Sequence, residues 1–217
     1  MDKDINITAE IPIGIKTLPY YKVINEDRVN IKNASQIITP RNSLPSEEEA
    51  IKSANGYLVS NNYLPKDAYL GKVTTQYITS VNKSSEGNIT EKKSPVLVEI
   101  EYYRSINGYP VSGPGDCITI CVGEHNEVIY LFKTWRELEL AGEVPIIDAH
   151  SAIEKLKQHE VVEEEIGLGE LPVEITEIEL GYYSEVTGDE QEYYKPVWIF
   201  KGKDKFGNDE VMCVNAA

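Results

Sequence analysis

A run of alternating side chains near the middle of the chain most constrains the fold. From Val96 to Tyr103 every even-numbered residue is apolar or aromatic, whereas two of the four odd-numbered residues are glutamates. This period of two is typical of a strand with one buried and one wetter face, because successive side chains of a strand point to opposite sides. The tight-turn pair Asn107-Gly108 follows, and Gly113-Pro114-Gly115 indicates a second reversal. The pattern predicts antiparallel sheet from about Tyr69 to Phe132.

Two helices are predicted, each ahead of a set of strands. Ser46 and Glu49 have the spacing of a capping box, in which each side chain accepts a hydrogen bond from the other residue's backbone amide. Asp148 is a second candidate N-cap, followed by apolar residues at helical spacing. This repeated order favours an α+β fold of two tandem similar modules, each a helix packed on a twisted antiparallel sheet. Strands after the second helix are predicted at about Val173–Tyr183, Tyr193–Lys201 and Glu210–Val214.

Proline spacing and the two helix starts predict the domain boundaries. Residues 1–45 contain four prolines, which exclude a long helix and favour an extended N-terminal arm or edge hairpin. Residues 46–145 are predicted to form the first module and residues 146–217 the second.

Charge excludes two classes of function. The 217 residues include 36 acidic and 21 basic side chains, a formal net charge of −15. Such a field repels phosphate backbones and anionic lipid headgroups, so we expect neither nucleic-acid binding nor docking on a membrane surface. No apolar run approaches the roughly 20 residues of a membrane span, and no signal peptide is visible, so no direct membrane insertion of this chain is expected.

Three cysteines leave the redox state of the chain open. Cys117 and Cys121 lie in one predicted strand, where they would be about 13 Å apart, whereas a disulfide needs Cα atoms within about 7 Å. They cannot pair with each other inside that strand. Either could pair with Cys213 if the last strand lies alongside, and the alternative is three small buried hydrophobic residues.

No motif indicates a catalytic, metal or cofactor site. The sequence His159-Glu160-Val161-Val162-Glu163 lacks the second histidine of the zinc-peptidase helix. There is no Gly-x-Ser-x-Gly nucleophile motif, and no basic residue stands near Cys117 or Cys121 to activate a thiolate. We therefore expect no enzyme activity and no cofactor. A hydrolase built from scattered carboxylates is the remaining enzymatic alternative, and the sequence nominates no pair for it.

Aromatic residues suggest a second class of function. The chain has fourteen tyrosines and three phenylalanines, and aromatic side chains with a polar tip suit binding surfaces. One hypothesis is therefore a carrier or sensor of a small ligand, with a pocket between helix and sheet lined by Trp135, Trp198 and Tyr183.

Glycosylation acceptor sequences hint at a location outside the cytoplasm. Four Asn-x-Ser/Thr sequences occur, where chance would supply about one or two. They begin at Asn6, Asn33, Asn82 and Asn88.

A family resemblance gives a more specific hypothesis. The stretch from Tyr103 to Gly113, followed by strand-like Ile118–Ile120 and Val128–Ile129, resembles the fungalysin/thermolysin propeptide and PepSY modules of secreted metallopeptidases. Those modules show a strand, a short Gly-x-Pro-Val turn and a hairpin. The second cycle resembles the related modules of YycH/YycI-type regulatory proteins, through Ala152-Ile153, Leu156, Gly181-Tyr182-Tyr183 and Tyr194-Lys195-Pro196-Val197-Trp198. The resemblance covers about residues 46–214.

The resemblance implies a non-enzymatic extracytoplasmic protein that binds another protein, a peptidase or a membrane sensor kinase, and restrains it. No peptidase domain follows the modules and no anchor precedes them, so we expect a trimmed ectodomain with a separate target. An exposed edge strand or the Asn107–Gly115 loop would dock on the partner. The predicted contact residues are those that the tight turn would present outward, namely Tyr103, Arg104, Asn107, Tyr109 and Pro110.

Overall fold

The computed structural model describes residues 5–33, 40–41, 43–83, 89–162 and 172–217. Of these residues 57% lie in strands and 14% in helices. The expected α+β fold of two tandem helix-on-sheet modules is therefore wrong, and the chain is mostly β. The main reason is strand length: residues 82–83 and 89–94 belong to a polar stretch whose composition is typical of a loop, but they continue β3 and β4 as strand.

Eleven strands, two α-helices and a short 3-10 helix at Glu124–Asn126 make up the described secondary structure. The helices are α1 (Glu47–Ser60) and α2 (Ala149–Lys157). The strands are β1 (Ile5–Ile7), β2 (Thr17–Lys32), β3 (Ala68–Lys83), β4 (Ile89–Ile106), β5 (Tyr109–Ser112), β6 (Cys117–Val122), β7 (Val128–Pro145), β8 (Val173–Tyr183), β9 (Tyr193–Tyr194), β10 (Pro196–Asp204) and β11 (Asp209–Asn215).

The chain divides into two compact units assembled from interleaved segments. The first unit comprises Met1–Glu26, Ile106–Gly115 and Arg136–Ala217, and the second comprises Asp27–Ser105 and Asp116–Trp135. The predicted ranges 1–45, 46–145 and 146–217 are continuous, whereas each compact unit combines segments that are far apart in the sequence. Long strands account for this, since β2 and β7 each contribute residues to both units.

The second unit is an antiparallel sheet covered on one side by α1. Its strands follow the order β3-β4-β6-β7-β2. Ser46 caps α1 in the predicted capping box. Three acidic residues lie in the first turn, where the helix dipole stabilises negative charge. Ala50, Ala54 and Leu58 of α1 pack on the buried side chains of β4, β6 and β7. Burying an isoleucine or leucine there contributes about 1.5–3 kcal/mol.

The first unit has β8 at its centre. Strand β10 pairs with β8 antiparallel and β11 pairs with β10, while β1 and β5 pair parallel with opposite ends of β8. Helix α2 begins after Asp148, whose side chain accepts a hydrogen bond from the Ser151 amide. Its apolar face packs with Trp198 and Phe200 of β10 in one core cluster. Neither helix of the described residues is long and apolar enough to cross a membrane.

Several sequence predictions fall partly outside the described residues. These are parts of the N-terminal arm (1–4, 34–39 and 42), the acceptor sequences that begin at Asn33, Asn82 and Asn88, and the end of the His159–Glu163 motif.

Candidate functional site

The long hairpin of β3 and β4 extends into an exposed two-stranded ribbon. The outer ribbon, which we define as residues 77–83 paired with residues 89–95, runs from the Tyr77–Pro95 pair to the Lys83–Ile89 pair. Tyr77, Val81 and Ile89 are 49%, 59% and 64% exposed. Of the fourteen exposed large hydrophobic side chains in the described part of the chain, five lie on β3 and β4, and three of these five lie in the outer ribbon. The ribbon thus concentrates apolar surface that the protein itself leaves in water.

A β-bulge places the exposed apolar side chains of the outer ribbon on one face, which they share with Lys83, Glu91 and Lys93. Gln76 pairs with Leu97 but Tyr77 pairs with Pro95, so Val96 is the extra residue. Beyond the bulge, Tyr77 and Val81 point to the same side because they are an even number of residues apart, and Ile89 joins them through its pairing with Lys83. The Lys93 ammonium lies 4.5 Å from the centroid of the Tyr77 ring on this face. Within the described residues β3 pairs with β4 alone, so its other edge offers backbone hydrogen-bonding groups.

The sheet of the second unit has a second face, turned away from α1. On β6, Ile118 and Ile120 belong to the core with α1, so Cys117, Thr119 and Cys121 point to the opposite side. Their register partners on β4 include Glu99, opposite Cys121, and Glu101, opposite Thr119. We call this surface the acidic face and define it as Gln76, Glu99, Glu101, Tyr103, Cys117, Thr119, Cys121, Tyr130 and Phe132.

The two glutamates of the acidic face contact neutral groups. The amide Nε2 of Gln76 donates to Glu99 Oε1 at 3.0 Å, and the Tyr103 hydroxyl donates to Glu101 Oε2 at 2.5 Å. The Cys121 thiol lies 4.0 Å from Glu99 Oε2. An open cavity of about 400 Å³ adjoins this face, lined by Lys32, Gln76, Val96, Leu97, Glu99, Cys121 and Tyr130.

Burial keeps the other ionisable groups of the acidic face neutral. It raises the pKa of Cys117 to about 11 and of Cys121 to about 12, and the nearby carboxylates act in the same direction. Burial, reinforced by the hydrogen bond to Glu101, also raises the pKa of Tyr103. The pKa of Tyr130 is raised mainly by burial as well. The thiols and phenols therefore stay protonated near neutral pH.

The structure separates the five predicted contact residues. Arg104 was expected to point outward, and this is wrong, because its side chain is buried in the second unit with 5% of the residue exposed. Its Nε donates to Asp67 Oδ2 at 2.7 Å and one terminal nitrogen to Asp116 Oδ2 at 2.9 Å. The guanidinium also lies 5.3 Å from the centroid of the Trp135 ring. Tyr103 is half-buried, and its ring meets that of Tyr69 edge-on at 6.1 Å.

The other three predicted contact residues lie in the first unit. Asn107 and Gly108 have φ values of +53° and +87°, as a two-residue hairpin turn requires, so the predicted turn is confirmed. Asn107 is exposed, and its side-chain amide donates to the Tyr21 hydroxyl at 2.8 Å. Tyr109 and Pro110 are half-buried, and the Tyr109 ring stands perpendicular to that of Tyr182. A contact role for these residues stays a prediction.

The predicted ligand-pocket residues are core residues. Trp198 is 2% exposed and its indole nitrogen donates to the Ile147 carbonyl at 3.0 Å, so its ring fills space beside α2. The cavity next to it measures about 100 Å³, below the roughly 300–1,000 Å³ of typical ligand sites. Trp135 is buried in the second unit and donates to Asp67. Tyr183 is also buried, beside an open cavity of about 370 Å³ in the first unit.

One buried polar group escaped the sequence analysis. Arg136, in the first unit, is 1% exposed and pairs through Nε with Glu26 at 2.9 Å. One of its terminal nitrogens donates to Ser184 Oγ at 2.8 Å and to the Tyr194 hydroxyl at 3.3 Å. Backbone carbonyls of Glu185 and Val186 accept further hydrogen bonds. No local pattern distinguishes Arg136 in the sequence, because its partners come from distant segments.

The chemistry available to these sites is limited. Among the residues that the structure describes, no group of three or more His, Cys, Asp or Glu side chains could hold a metal ion. All three cysteines are thiols, so the suggested pairing of Cys213 with Cys117 or Cys121 is not formed.

Comparisons with known proteins place the chain in a family. A family model described as "YycI protein" matches residues 2–217. No curated protein matches the chain. An uncharacterized protein from Eubacterium rectale has a similar solved structure at 16% sequence identity and a TM-score of 0.41, and the match covers 85% of this chain and 57% of that one. The chain thus spans little more than half of that protein. The resemblance to PepSY and fungalysin/thermolysin propeptide modules stays a prediction. Because the family match extends over nearly the whole sequence, the resemblance to YycI-type proteins is confirmed, and the chain belongs to the YycI family of regulatory proteins.

Proposed function

We propose that the chain is a non-enzymatic regulatory protein that works outside the cytoplasm by docking on a partner protein, such as a membrane sensor kinase. Membership of a regulatory family supports interaction with other proteins. Four possible acceptor sequences for glycosylation agree with the proposed location.

The observation that carries the proposal is the set of exposed apolar side chains on one face of the outer ribbon. Tyr77, Val81 and Ile89 share one face of a hairpin whose backbone edge is open along β3. Covering the part of each side chain that is still exposed would contribute on the order of 1 kcal/mol before the costs of association. An added strand from a partner would also pair with the β3 edge, so backbone hydrogen bonds would contribute to affinity and the side chains to specificity.

The ribbon supports docking better than the Asn107–Gly108 turn does. At the turn, the side-chain amide of Asn107 donates a hydrogen bond to the Tyr21 hydroxyl, and the Tyr109 ring packs against that of Tyr182. These contacts fix the turn within its own unit. The ribbon side chains have fewer internal contacts to lose when a partner covers them.

Site-specific photocrosslinking in the native host tests the proposal. Val81 is replaced by a photoreactive benzoylphenylalanine, and Leu140 serves as the control because it is 63% exposed, also on a strand, and lies in the first unit. We expect Val81 to form a crosslink to the sensor kinase and Leu140 to form none. The partner band is identified by mass spectrometry and by an antibody to the kinase.

The accompanying readout is regulation. Val81→Asp replaces an exposed apolar side chain of the ribbon by a charged one without touching the core. It should therefore abolish the crosslink from a photoreactive residue at position 77. It should also abolish the effect of the chain on kinase output. Unchanged kinase regulation, or equal crosslinking from Val81 and Leu140, would show that the ribbon is not the docking element.

A membrane-impermeant maleimide applied to intact cells that produce Phe206→Cys checks the location, because Phe206 is 68% exposed. Protection of this thiol until lysis would contradict the extracytoplasmic assignment.

A further inference from the structure

Glu99 and Glu101 form an unusual pair of charges on the acidic face. They alternate on β4 and point to the same side, about 7 Å apart along the strand. Both are half-buried, and in the described part of the chain the structure gives neither an ion-pair partner. Two like charges so arranged repel each other, and partial burial weakens the screening by water.

The same unit compensates its other half-buried charges. Arg104 is paired with Asp67 and Asp116, and the buried Lys133 ammonium lies 2.5 Å from Asp27. The glutamates of the acidic face are instead surrounded by neutral donors from Gln76 and Tyr103. Counter-charges therefore lie against the buried cations of the unit, whereas no described basic side chain forms an ion pair with Glu99 or Glu101, although Lys32 lines the cavity beside Glu99.

We propose that the acidic face binds a segment of a partner protein in which a lysine or arginine is flanked by apolar side chains. The inference rests on the proposed function and deepens it by giving the chemistry of one partner surface. Charge complementarity selects the cation, because two carboxyl groups lie side by side at the centre of this face. The flanking aromatic rings of Tyr103, Tyr130 and Phe132 select an amphipathic segment, since such rings accept both apolar side chains and cations.

A metal ion fits this site less well than an organic cation. The described residues include no group of three His, Cys, Asp or Glu side chains able to hold a metal. The nearby thiols are held protonated by burial, with the pKa of Cys121 near 12, so they are poor metal ligands. A guanidinium or ammonium instead needs only acceptor oxygens and a ring face, and both are present.

The test uses the full chain and short fluorescein-labelled peptides of defined sequence. One peptide alternates lysine or arginine with phenylalanine and valine, a second carries glutamate at the basic positions, and a third carries glutamine. Affinity is measured by fluorescence anisotropy at physiological salt for wild type and for Glu99→Gln/Glu101→Gln. The amide oxygens of glutamine still accept hydrogen bonds from Gln76 and Tyr103, so the fold is preserved, and circular dichroism checks this.

The matched control is Glu137→Gln/Glu139→Gln. These residues are also two apart on one strand, β7, and both are exposed, so the control removes the same net charge. We expect the Glu99/Glu101 variant to lose at least about tenfold in affinity for the basic peptide, with the control changing by less than about twofold. Equal losses in the two variants would mean that the basic peptide binds the acidic chain without a site, and the inference would be overturned.

Failure of this inference is distinguishable from failure of the proposed function. If Val81 crosslinks to the kinase but the peptide affinity does not depend on Glu99 and Glu101, docking stands and the acidic face is not part of it. If the peptide affinity depends on the two glutamates and Val81 gives no crosslink, the acidic face binds a basic segment and the ribbon assignment fails.

Discussion

Arg104 in the second unit and Arg136 in the first are both almost fully buried, yet their charges are compensated differently. Arg104 lies between two carboxylates, Asp67 and Asp116, and the side chain of Asp116 is completely buried. Arg136 pairs with the Glu26 carboxylate and also donates to neutral hydroxyl and carbonyl oxygens. When a buried arginine is paired with carboxylates, its removal exposes their negative charges to an environment that no longer compensates them. Hydroxyl and carbonyl partners stay neutral when the arginine is removed.

The largest predicted effect follows from removing Arg104. Arg104→Met keeps roughly the volume of the side chain but removes the positive charge with which Asp116 and Asp67 are paired. We expect the free energy of unfolding to fall by about 3–5 kcal/mol. Urea denaturation followed by the fluorescence of Trp135, which lies against the guanidinium, measures the change.

A second substitution tests the cause of that loss. Asp116→Asn in the Arg104→Met background removes the buried negative charge and should restore part of the stability, although the same substitution in the wild type is destabilising. If the double variant is less stable than Arg104→Met alone, uncompensated charge is not the reason for the loss.

Removing Arg136 should cost less. Arg136→Met removes the positive charge beside Glu26, whose side chain keeps 16% of its surface in water, so part of the solvation of this carboxylate is retained. We expect a loss of about 2–3 kcal/mol, most of it from hydroxyl and carbonyl groups left without a donor. Urea denaturation, followed by the fluorescence of Trp198 in the first unit, measures this change in the free energy of unfolding. A loss greater than that of Arg104→Met would reverse the proposed ranking of the two networks.

A single neutral acceptor of Arg136 should matter less again. The Tyr194 hydroxyl lies 2.5 Å from Ser184 Oγ and accepts from Arg136, and Tyr194→Phe removes both contacts while keeping the ring. We expect about 1 kcal/mol of destabilisation in thermal or urea unfolding. Tyr193→Phe is the control on the adjacent, half-buried residue and should change stability by less than about 0.5 kcal/mol.

The smallest predicted effect concerns reactivity. Burial, and next the charge of Asp116, raise the pKa of Cys117 to about 11. Asp116→Asn removes a negative charge that disfavours the thiolate, so the pKa should fall and alkylation by iodoacetamide at mildly alkaline pH should become a few-fold faster. Mass spectrometry of the peptide that contains Cys117 follows the rate. Ser184→Ala, in the other network, should leave the rate unchanged, and equal acceleration by both variants would point to general loosening.

Local patterns predicted the parts of the fold that short-range chemistry determines. The N-caps Ser46 and Asp148 and the Asn107-Gly108 turn are confirmed, because a cap or a turn depends on neighbours within a few residues. The strand β8 likewise begins and ends where its pattern predicted. Strand length was missed where polar residues such as Lys92 and Ser94 pair in an exposed ribbon, since the usual signal of a buried face is absent there.

The buried charges could not be predicted for a different reason. Arg104 and Asp67 are 37 residues apart, and Arg136 and Ser184 are 48 apart, so no spacing rule joins them. Next to a tight turn, Arg104 has the appearance of a surface residue. The acidic face was partly visible, because Glu99 and Glu101 already stood in the alternating pattern, but the absence of an ion-pair partner among the described residues is a property of the folded sheet.

The bulge at Val96 also has an evolutionary consequence. It fixes the register of the inner hairpin, so cross-strand pairs can be gained or lost in the outer ribbon without shifting the residues that pack on α1. The ribbon can therefore diverge in length and sequence at little cost to folding. Among relatives, we expect insertions and deletions to concentrate in the outer ribbon and to add or remove whole cross-strand residue pairs. The partner-binding surface would then differ between relatives while the sheet that packs on α1 stays the same.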